Sequence, residues 1–497
     1  MKPCSFVLLV KRIKPTFDEF NIRMFALILL TALGAFLVYY FIVKPYRYWT
    51  DRGVKQGNPI WLFGDNWDNI IRKESIAGMV TRLYNQFPGC RYSGIYQFLT
   101  PTLLVRDLDL IKQITVKDFD HFTDHRPFLP QDTDPLWSKN LVALNGDKWR
   151  DMRTILSPSF TSSKMRSIFV IIQECAENFV KHFLDKNEDV VEIEFKDTFT
   201  RFTNDVIAST AFGIQVDSLG QPDNLFYFMG KEATDFSGFW RNFKILGFFI
   251  VPKLYEVTLF SKKVTKFFKK IVGDTLKLRE EKGIVRSDMI QLLVEARKGK
   301  QSHDDTDIID TGFSVAQESD LTKPSSRIKT HKELSDMDIT AQAMIFLFGG
   351  FDTASGLMCF LAYELATNPD VQDKLRKEVR DTLEECEGKL TYESLLKMKY
   401  MDMVVSECLR KWPNAVVTDR ICTKPYTIKP VFPEEKPVHL QKGDLILLPM
   451  CAIHHDPRYY PNPERFDPER FNDENKGKIK PYTYFPFGLG PRNCIGS

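Results

Sequence analysis

Ten consecutive residues near the end of this 497-residue chain constrain it more than any others: Phe487-Gly488-Leu489-Gly490-Pro491-Arg492-Asn493-Cys494-Ile495-Gly496. The pattern F-x-x-G-x-R-x-C-x-G fixes five of the ten positions, and at average residue usage a chance match in a chain of this length is on the order of one in ten thousand. Gly488, Gly490 and Gly496 can take positive φ and let the backbone lie close to a flat partner, where a Cβ would collide. Arg492 carries a charge that it does not lose and that suits a carboxylate. Cys494, as a thiolate, is a metal ligand that donates electron density, and Phe487 can shield its sulfur from water. The competing reading is that Cys494 is one of nine cysteines, buried and inert.

Further motifs stand upstream. Glu407 and Arg410 in Val-Ser-Glu-Cys-Leu-Arg share a face if the segment is helical, although an exposed pair of that kind contributes only about 0.3–0.5 kcal/mol. Asp467-Pro468-Glu469-Arg470-Phe471 supplies a second arginine; Pro463-Glu464-Arg465-Phe466 is a decoy, and the spacing to Cys494 together with Phe471 favours Arg470. Ser335-Asp336-Met337-Asp338 reads as a helix start, and the pattern predicts a long helix to about Thr367, where Asn368-Pro369 stops it. Inside it Gly349 and Gly350 each cost about 1 kcal/mol relative to alanine, so something other than helix stability retains them ahead of Phe351-Asp352-Thr353-Ala354-Ser355. A packing account would make the glycines a helix contact, with Thr353 bonding back to a carbonyl. Lys148-Trp149-Arg150-Asp151-Met152-Arg153 places Trp149 and Arg153 on one helix face.

In this order the motifs resemble the cytochrome P450 family over roughly Met24–Ser497, and the wording Phe-Gly-Gly-Phe-Asp-Thr-Ala-Ser is similar to its insect microsomal, xenobiotic-oxidising members, family nine in particular. The resemblance implies a mainly α fold with small β-sheets and a haem b cofactor (iron protoporphyrin IX) with Cys494 as its thiolate ligand. Haem contacts carried over onto this chain are Trp149, Arg153, Arg420 (after Lys411-Trp412-Pro413), Phe487 and Arg492. The paired glycines become the place where the helix opens for dioxygen, and Asp352 and Thr353 the acid and alcohol that relay protons. The family's next position is usually hydroxylic and is Ala354 here; Ser355 stands in only if the register shifts. Glu407, Arg410 and Arg470 become a buried structural triad. The implied activity is insertion of one oxygen atom from O2 into lipophilic substrates, xenobiotics or endogenous lipids. The implied partners are an NADPH-cytochrome reductase, through which alone NADPH acts, cytochrome b5 and membrane lipid. A haem-thiolate isomerase or dehydratase is the alternative chemistry, and the intact Asp352-Thr353 pair counts against it. The family continues past the cysteine for a long helix and a sheet segment. The chain is therefore expected to lack its C-terminal part, which leaves a non-functional membrane-anchored fragment as a further alternative.

Met24–Val43 contains no charge and as a helix measures about 30 Å, enough to span a bilayer. Lys44, Arg47, Arg52 and Lys55, with Tyr46, Tyr48 and Trp49, read as the basic and aromatic residues of a membrane interface. The organisation expected is thus an extension over 1–23 ahead of an initiator at Met24, an anchor over 24–43, an interface and hinge segment over 44–70, and the haem-thiolate domain over 71–497. By the resemblance the anchor lies in the endoplasmic reticulum membrane with the catalytic body facing the cytosol. Lys298–Thr330 is polar and reads as a surface loop. Scattered cysteines without a C-x-x-C pair argue for a reducing compartment. A formal charge of +3 without a basic stripe excludes nucleic acid as a partner class. Phe236, Phe239, Trp240, Phe243, Phe248 and Phe249 read as an aromatic roof lining an apolar pocket. His454 and His455 read as hydrogen-bonding loop residues rather than a second metal site.

Overall fold

The computed structural model describes residues 17–127, 134–235, 247, 258–286, 288–298 and 334–496. The aromatic roof expected from Phe236 to Phe249, nearly all of the loop expected over Lys298–Thr330, and most of the expected N-terminal extension lie outside the described residues.

Helices make up most of the body, as expected. Helix α1 (Phe17–Val38) continues through tighter and wider turns to Arg47. Strands β1 (Tyr92–Gln97) and β2 (Thr100–Val105) form a hairpin. The helices that position the site are α2 (Gly146–Leu156), α3 (Phe195–Ile207), α4 (Asp336–Phe351), α5 (Thr353–Thr367) and α6 (Lys399–Lys411). Strands β3 (Thr418–Ile421), β4 (Tyr426–Ile428), β5 (Val438–Leu440) and β6 (Leu445–Leu448) follow. Strand order in the larger sheet is β1-β2-β6-β3. There β6 runs parallel to β2 (Leu103 opposite Ile446) and antiparallel to β3 (Arg420 opposite Ile446). Leu445, Ile446, Leu447 and Leu448 are all buried, the unbroken apolar run of a strand covered on both faces. β4 and β5 pair as a separate hairpin.

The expected helix start is present as drawn. Ser335 accepts from the Asp338 amide at 3.2 Å and the Asp338 carboxylate accepts from the Ser335 amide at 3.0 Å, the reciprocal bonds of a capping box. At the far end Thr367 closes α5 and Pro369 opens the next helix at its first turn, where a missing N–H costs nothing.

The segment expected to be interface and hinge is in part core. Tyr46 is buried and Trp49 is fully buried, the Tyr46 and Tyr96 rings meeting with centroids 4.9 Å apart. A Cβ on Gly94 of β1 would stand 2.3 Å from the Trp49 ring, so the strand leaves out a side chain to admit the indole. The packed body therefore begins near Tyr46 and not at residue 71. An aromatic and basic cluster has the same composition in either role, and only the facing glycine distinguishes the two.

Candidate active site

The cysteine loop leaves the core through a chain of backbone bonds. The Gly488 amide donates to Phe485 O at 2.9 Å, the Asn493 amide to Gly490 O at 2.9 Å, and the Cys494 amide to Phe487 O at 2.8 Å. Gly488 and Gly490 take φ of +82° and +68° as expected; Gly496 does not take positive φ. Gly490 has a second constraint, since a Cβ there would lie 1.9 Å from Thr115 O. Cys494 is exposed at the end of this turn.

Three arginines converge on the loop. Arg420, fully buried on β3, donates to Leu489 O at 2.8 Å and Asp419 O at 2.7 Å. Arg153 of α2 holds Asn493 through its carbonyl at 2.9 Å and its side-chain oxygen at 2.8 Å. Arg492 donates to Thr123 O and Leu144 O, both at 2.7 Å, and lies 4.1 Å over the Trp149 ring. Of the six residues expected to hold the cofactor, Trp149, Arg153, Arg420, Arg492 and Cys494 are thus brought to one loop, and the backbone carbonyl of the sixth, Phe487, closes it.

Burial lowers the Arg420 guanidinium to about 10 and the Arg492 guanidinium to about 9, as expected for cations taken out of water. Burial also lowers Arg153, opposed by the Cys494 sulfur. Facing these three guanidiniums are two carboxylates. Asp124 lies 3.7 Å from Arg492. Asp419 is raised by burial, but hydrogen bonds from His125 at 3.0 Å and the Arg126 amide at 2.6 Å bring it below its usual range. The Arg420 Nε–H is buried without a hydrogen-bond partner among the described residues. Cations in excess and an unsatisfied buried donor are what a doubly carboxylated ligand would correct, so these residues fit haem. His125 is a member of this cluster that sequence reasoning missed; its neighbour Arg126 and the Asp419-Arg420 pair give no local signal of it.

Behind the loop stands the expected triad. Glu407 and Arg410 are fully buried and joined by two bonds, Nε to Oε2 at 2.7 Å and Nη2 to Oε1 at 2.9 Å. Arg470 Nε lies 3.4 Å from Glu407 Oε1, and the Asp467 amide donates to the same oxygen at 2.9 Å. Arg465 is exposed; the decoy is set aside. Arg410 also donates to His454 O at 2.8 Å and Pro463 O at 2.7 Å. His454 lies at the end of a short helix, Met450–His454, and not in a loop. Its ring is buried and its Nε2 accepts from the Phe485 amide at 3.0 Å, linking the triad to the cysteine loop. Burial, then the Arg410 charge, lower the imidazole to about 3.

The long helix is broken where the sequence carries Asp352. Helix α4 ends at Phe351 and α5 begins at Thr353. The break is braced from outside by one face of α3, at Lys196, Thr200 and Thr203. Thr203 Oγ1 and Ser355 Oγ both donate to Phe351 O at 2.9 Å. Lys196 Nζ donates to Asp352 Oδ1 at 2.6 Å, Asp352 O at 3.2 Å and Ser355 Oγ at 2.9 Å. Its three protons thus cap the end of α4, where a cation is favoured. Ser355 is buried in this brace and so does not stand in for the family's hydroxylic position at Ala354. Thr353 donates to Gly349 O. Gly350 is needed for packing, as a Cβ would fall 2.2 Å from Ile207 Cδ1, whereas Gly349 has open space. Packing therefore accounts for one of the two glycines only.

An exposed thiol on a loop gripped by three guanidiniums that outnumber the carboxylates facing them is consistent with a haem-thiolate site. The family model for cytochrome P450 matches residues 55–497, and the chain belongs to that family. It is similar to cytochrome P450 9e2 of Blattella germanica, 44% identical over 468 residues that cover 90% of this chain and 84% of that protein. Probable cytochrome P450 9f2 of Drosophila melanogaster is 44% identical over 481 residues, 94% of this chain and 88% of the relative. Cytochrome P450 6k1 of Blattella germanica is 34% identical over 475 residues, 95% and 87%. Membership implies a haem iron with a cysteine thiolate ligand and makes the chain a monooxygenase. The run Met24–Arg47, unburied along its apolar stretch to Val43, is long enough to be its membrane anchor.

Proposed function

We propose that this chain is a microsomal monooxygenase that inserts one oxygen atom from O2 into lipophilic substrates, xenobiotics or endogenous lipids, on the cytosolic face of the endoplasmic reticulum. Electrons come from a membrane-bound NADPH-dependent reductase, with cytochrome b5 as a second donor. The observation that carries the reading is the grip of Arg153 and Arg420 on the two ends of the loop that presents Cys494.

When bound, haem supplies the iron at which dioxygen is activated. Cys494 would hold it, with Phe487 keeping water from the sulfur. Arg420, Arg492 and Arg153, with Trp149 beneath Arg492, would bind its carboxylates. Arg153, which grips Asn493, would fix the position of the neighbouring Cys494 sulfur. Thr353 holds a proton at Oγ1 and the Asp352 carboxylate beside it is exposed, and through this pair the break between α4 and α5 would pass protons inward. The Lys196 ammonium, 2.6 Å from Asp352 Oδ1, fixes the carboxylate in direction.

The test is the carbon monoxide difference spectrum of the reduced, expressed protein, which reports haem, thiolate ligation and folding together. Wild type should give the thiolate-type band and Cys494→Ala should lose it. An unchanged band in Cys494→Ala would overturn the ligand assignment.

A further inference from the structure

Asp134 is 5% exposed, and its carboxylate accepts from four backbone amides. The Leu136 and Trp137 amides donate to Oδ1 at 3.1 and 3.4 Å, the cap of the short helix Pro135–Ser138. The Leu259 and Phe260 amides donate to Oδ2, both at 3.1 Å, from 125 and 126 residues further along the chain, just ahead of the helix Lys262–Lys282. A cap needs one such oxygen, and serine or asparagine supplies it about as well as aspartate. A buried charge is costly unless it is hydrogen-bonded throughout. The cap alone therefore does not account for a carboxylate here, and the second pair of amides does.

By holding those amides the carboxylate also fixes two aromatic rings. Trp137 and Phe260 both meet the ring of Phe348 on α4 edge-on, with centroids 6.1 and 5.6 Å away. The segment that carries Trp137 is bonded to α4 directly. Gln342, fully buried, donates to Lys139 O at 2.7 Å and accepts from the Leu141 amide at 3.0 Å, and Lys139 Nζ lies 3.0 Å from Asp338 Oδ1. The backbone at Leu259 and Phe260 hangs on that segment through Asp134. Trp137 and Phe348 are half-buried and keep ring surface free for a ligand, while Phe260 is buried and supports them. The wall stands next to the helix break, since Phe348 lies one turn before Asp352 and adjoins Gly349, whose carbonyl accepts from Thr353. The Trp137 segment runs on to Leu144, whose carbonyl holds Arg492 of the cysteine loop at 2.7 Å.

We infer that Asp134 is a positioning residue for substrate specificity. It touches no substrate itself. By tying the backbone of Phe260 to that of Trp137, it sets the shape of the aromatic wall that a bulky apolar substrate meets beside the helix break. Small ligands that do not reach the wall are indifferent to it. The inference rests on the haem-thiolate reading above and deepens it, because it names what selects among lipophilic substrates by bulk.

The test compares the full-length haem-loaded wild type with Asp134→Ser and Asp134→Asn, both of which keep an oxygen for the cap and lose the second acceptor. Hydrogen exchange read by mass spectrometry should be about tenfold faster in both variants for peptides that span Leu259 and Phe260, and unchanged over Pro135–Ser138. Imidazole and phenylimidazole, two probes that coordinate haem iron, are then titrated by absorbance. The preference of wild type for phenylimidazole over imidazole should fall about fivefold in both variants. Loss of folded protein or of haem lowers the amplitude of the signal and leaves this ratio alone, so an unchanged ratio would overturn the inference. Unchanged exchange at Leu259 and Phe260 would overturn it too, since those amides would then be held without Asp134. Phe260→Leu keeps the carboxylate, removes the supporting ring and should shift the ratio in the same direction. An unshifted ratio there would sink the inference even if neither Asp134 variant retained haem. A wild type whose spectrum neither probe shifts would instead refute the haem-thiolate reading, and the inference with it.

Discussion

Gly490→Ala should displace Cys494 even though the new side chain is a single methyl group. Two effects add. The residue takes φ of +68°, where any Cβ costs about 1–2 kcal/mol. The methyl would also stand 1.9 Å from Thr115 O, against the 3.0 Å below which Cβ contacts essentially never occur. The loop must therefore retreat by at least 3.0 − 1.9 = 1.1 Å from a backbone oxygen that cannot swing aside. Gly488→Ala is the internal control. Its φ of +82° carries the same conformational cost, but its Cβ would meet only Asn493 Cα at 3.7 Å. Misplacement by about 1 Å is enough to lower activity on the order of a hundredfold. The assay is haem content per protein and the reduced carbon monoxide spectrum of both variants, expressed side by side with wild type. Gly488→Ala should keep most of the thiolate-type band, and Gly490→Ala should lose most of it. Equal bands in the two variants would refute the claim that contact with Thr115, rather than glycine's conformational freedom, decides the loop's position.

Three other outcomes are expected. Arg410→Leu leaves the Glu407 carboxylate buried without its main partner and should cost about 3–5 kcal/mol in denaturant or thermal unfolding, whereas Arg465→Ala, at an exposed site, should stay within about 0.5 kcal/mol. In a turnover assay Thr353→Ala should raise peroxide released per NADPH consumed, and unchanged coupling would leave Thr353 a mere partner of the Gly349 carbonyl. His454 is held neutral in the fold, at about 3 against 6.5 unfolded. Below pH 6.5 the unfolded chain takes up a proton that the folded one refuses, so this stability is present above pH 6.5 and is lost as pH falls toward 3. The acid-side fall of the melting temperature should be shallower in His454→Gln, and identical slopes would contradict the assignment.

The features legible in the sequence were those written in short spacings. The capping box at Ser335, the pair Glu407 and Arg410, and Trp149 with Arg153 each sit within one helical turn, where periodicity alone places side chains together. Arg470 could be chosen over Arg465 by its spacing to Cys494 together with the Phe471 that follows it. The break at Asp352 was legible only as an unexplained pair of glycines, since the apolar pattern runs on through it to Thr367. Its cause lies in Lys196, Thr200 and Thr203, about 150 residues upstream, and a helix face of one lysine and two threonines looks like ordinary solvated surface until its partner is known. Trp49 was misread for a related reason. Burial is a property of two surfaces, and the second one is Gly94.

The brace from α3 has a consequence for how such a protein can diverge. Lys196, Thr200 and Thr203 hold the helix break, and none of them is bonded to the loop that carries Cys494. Substitutions along that face can retune the break while the thiolate and its arginines stay unchanged. Inheritance can thus vary the helix break and the cysteine loop as separate traits.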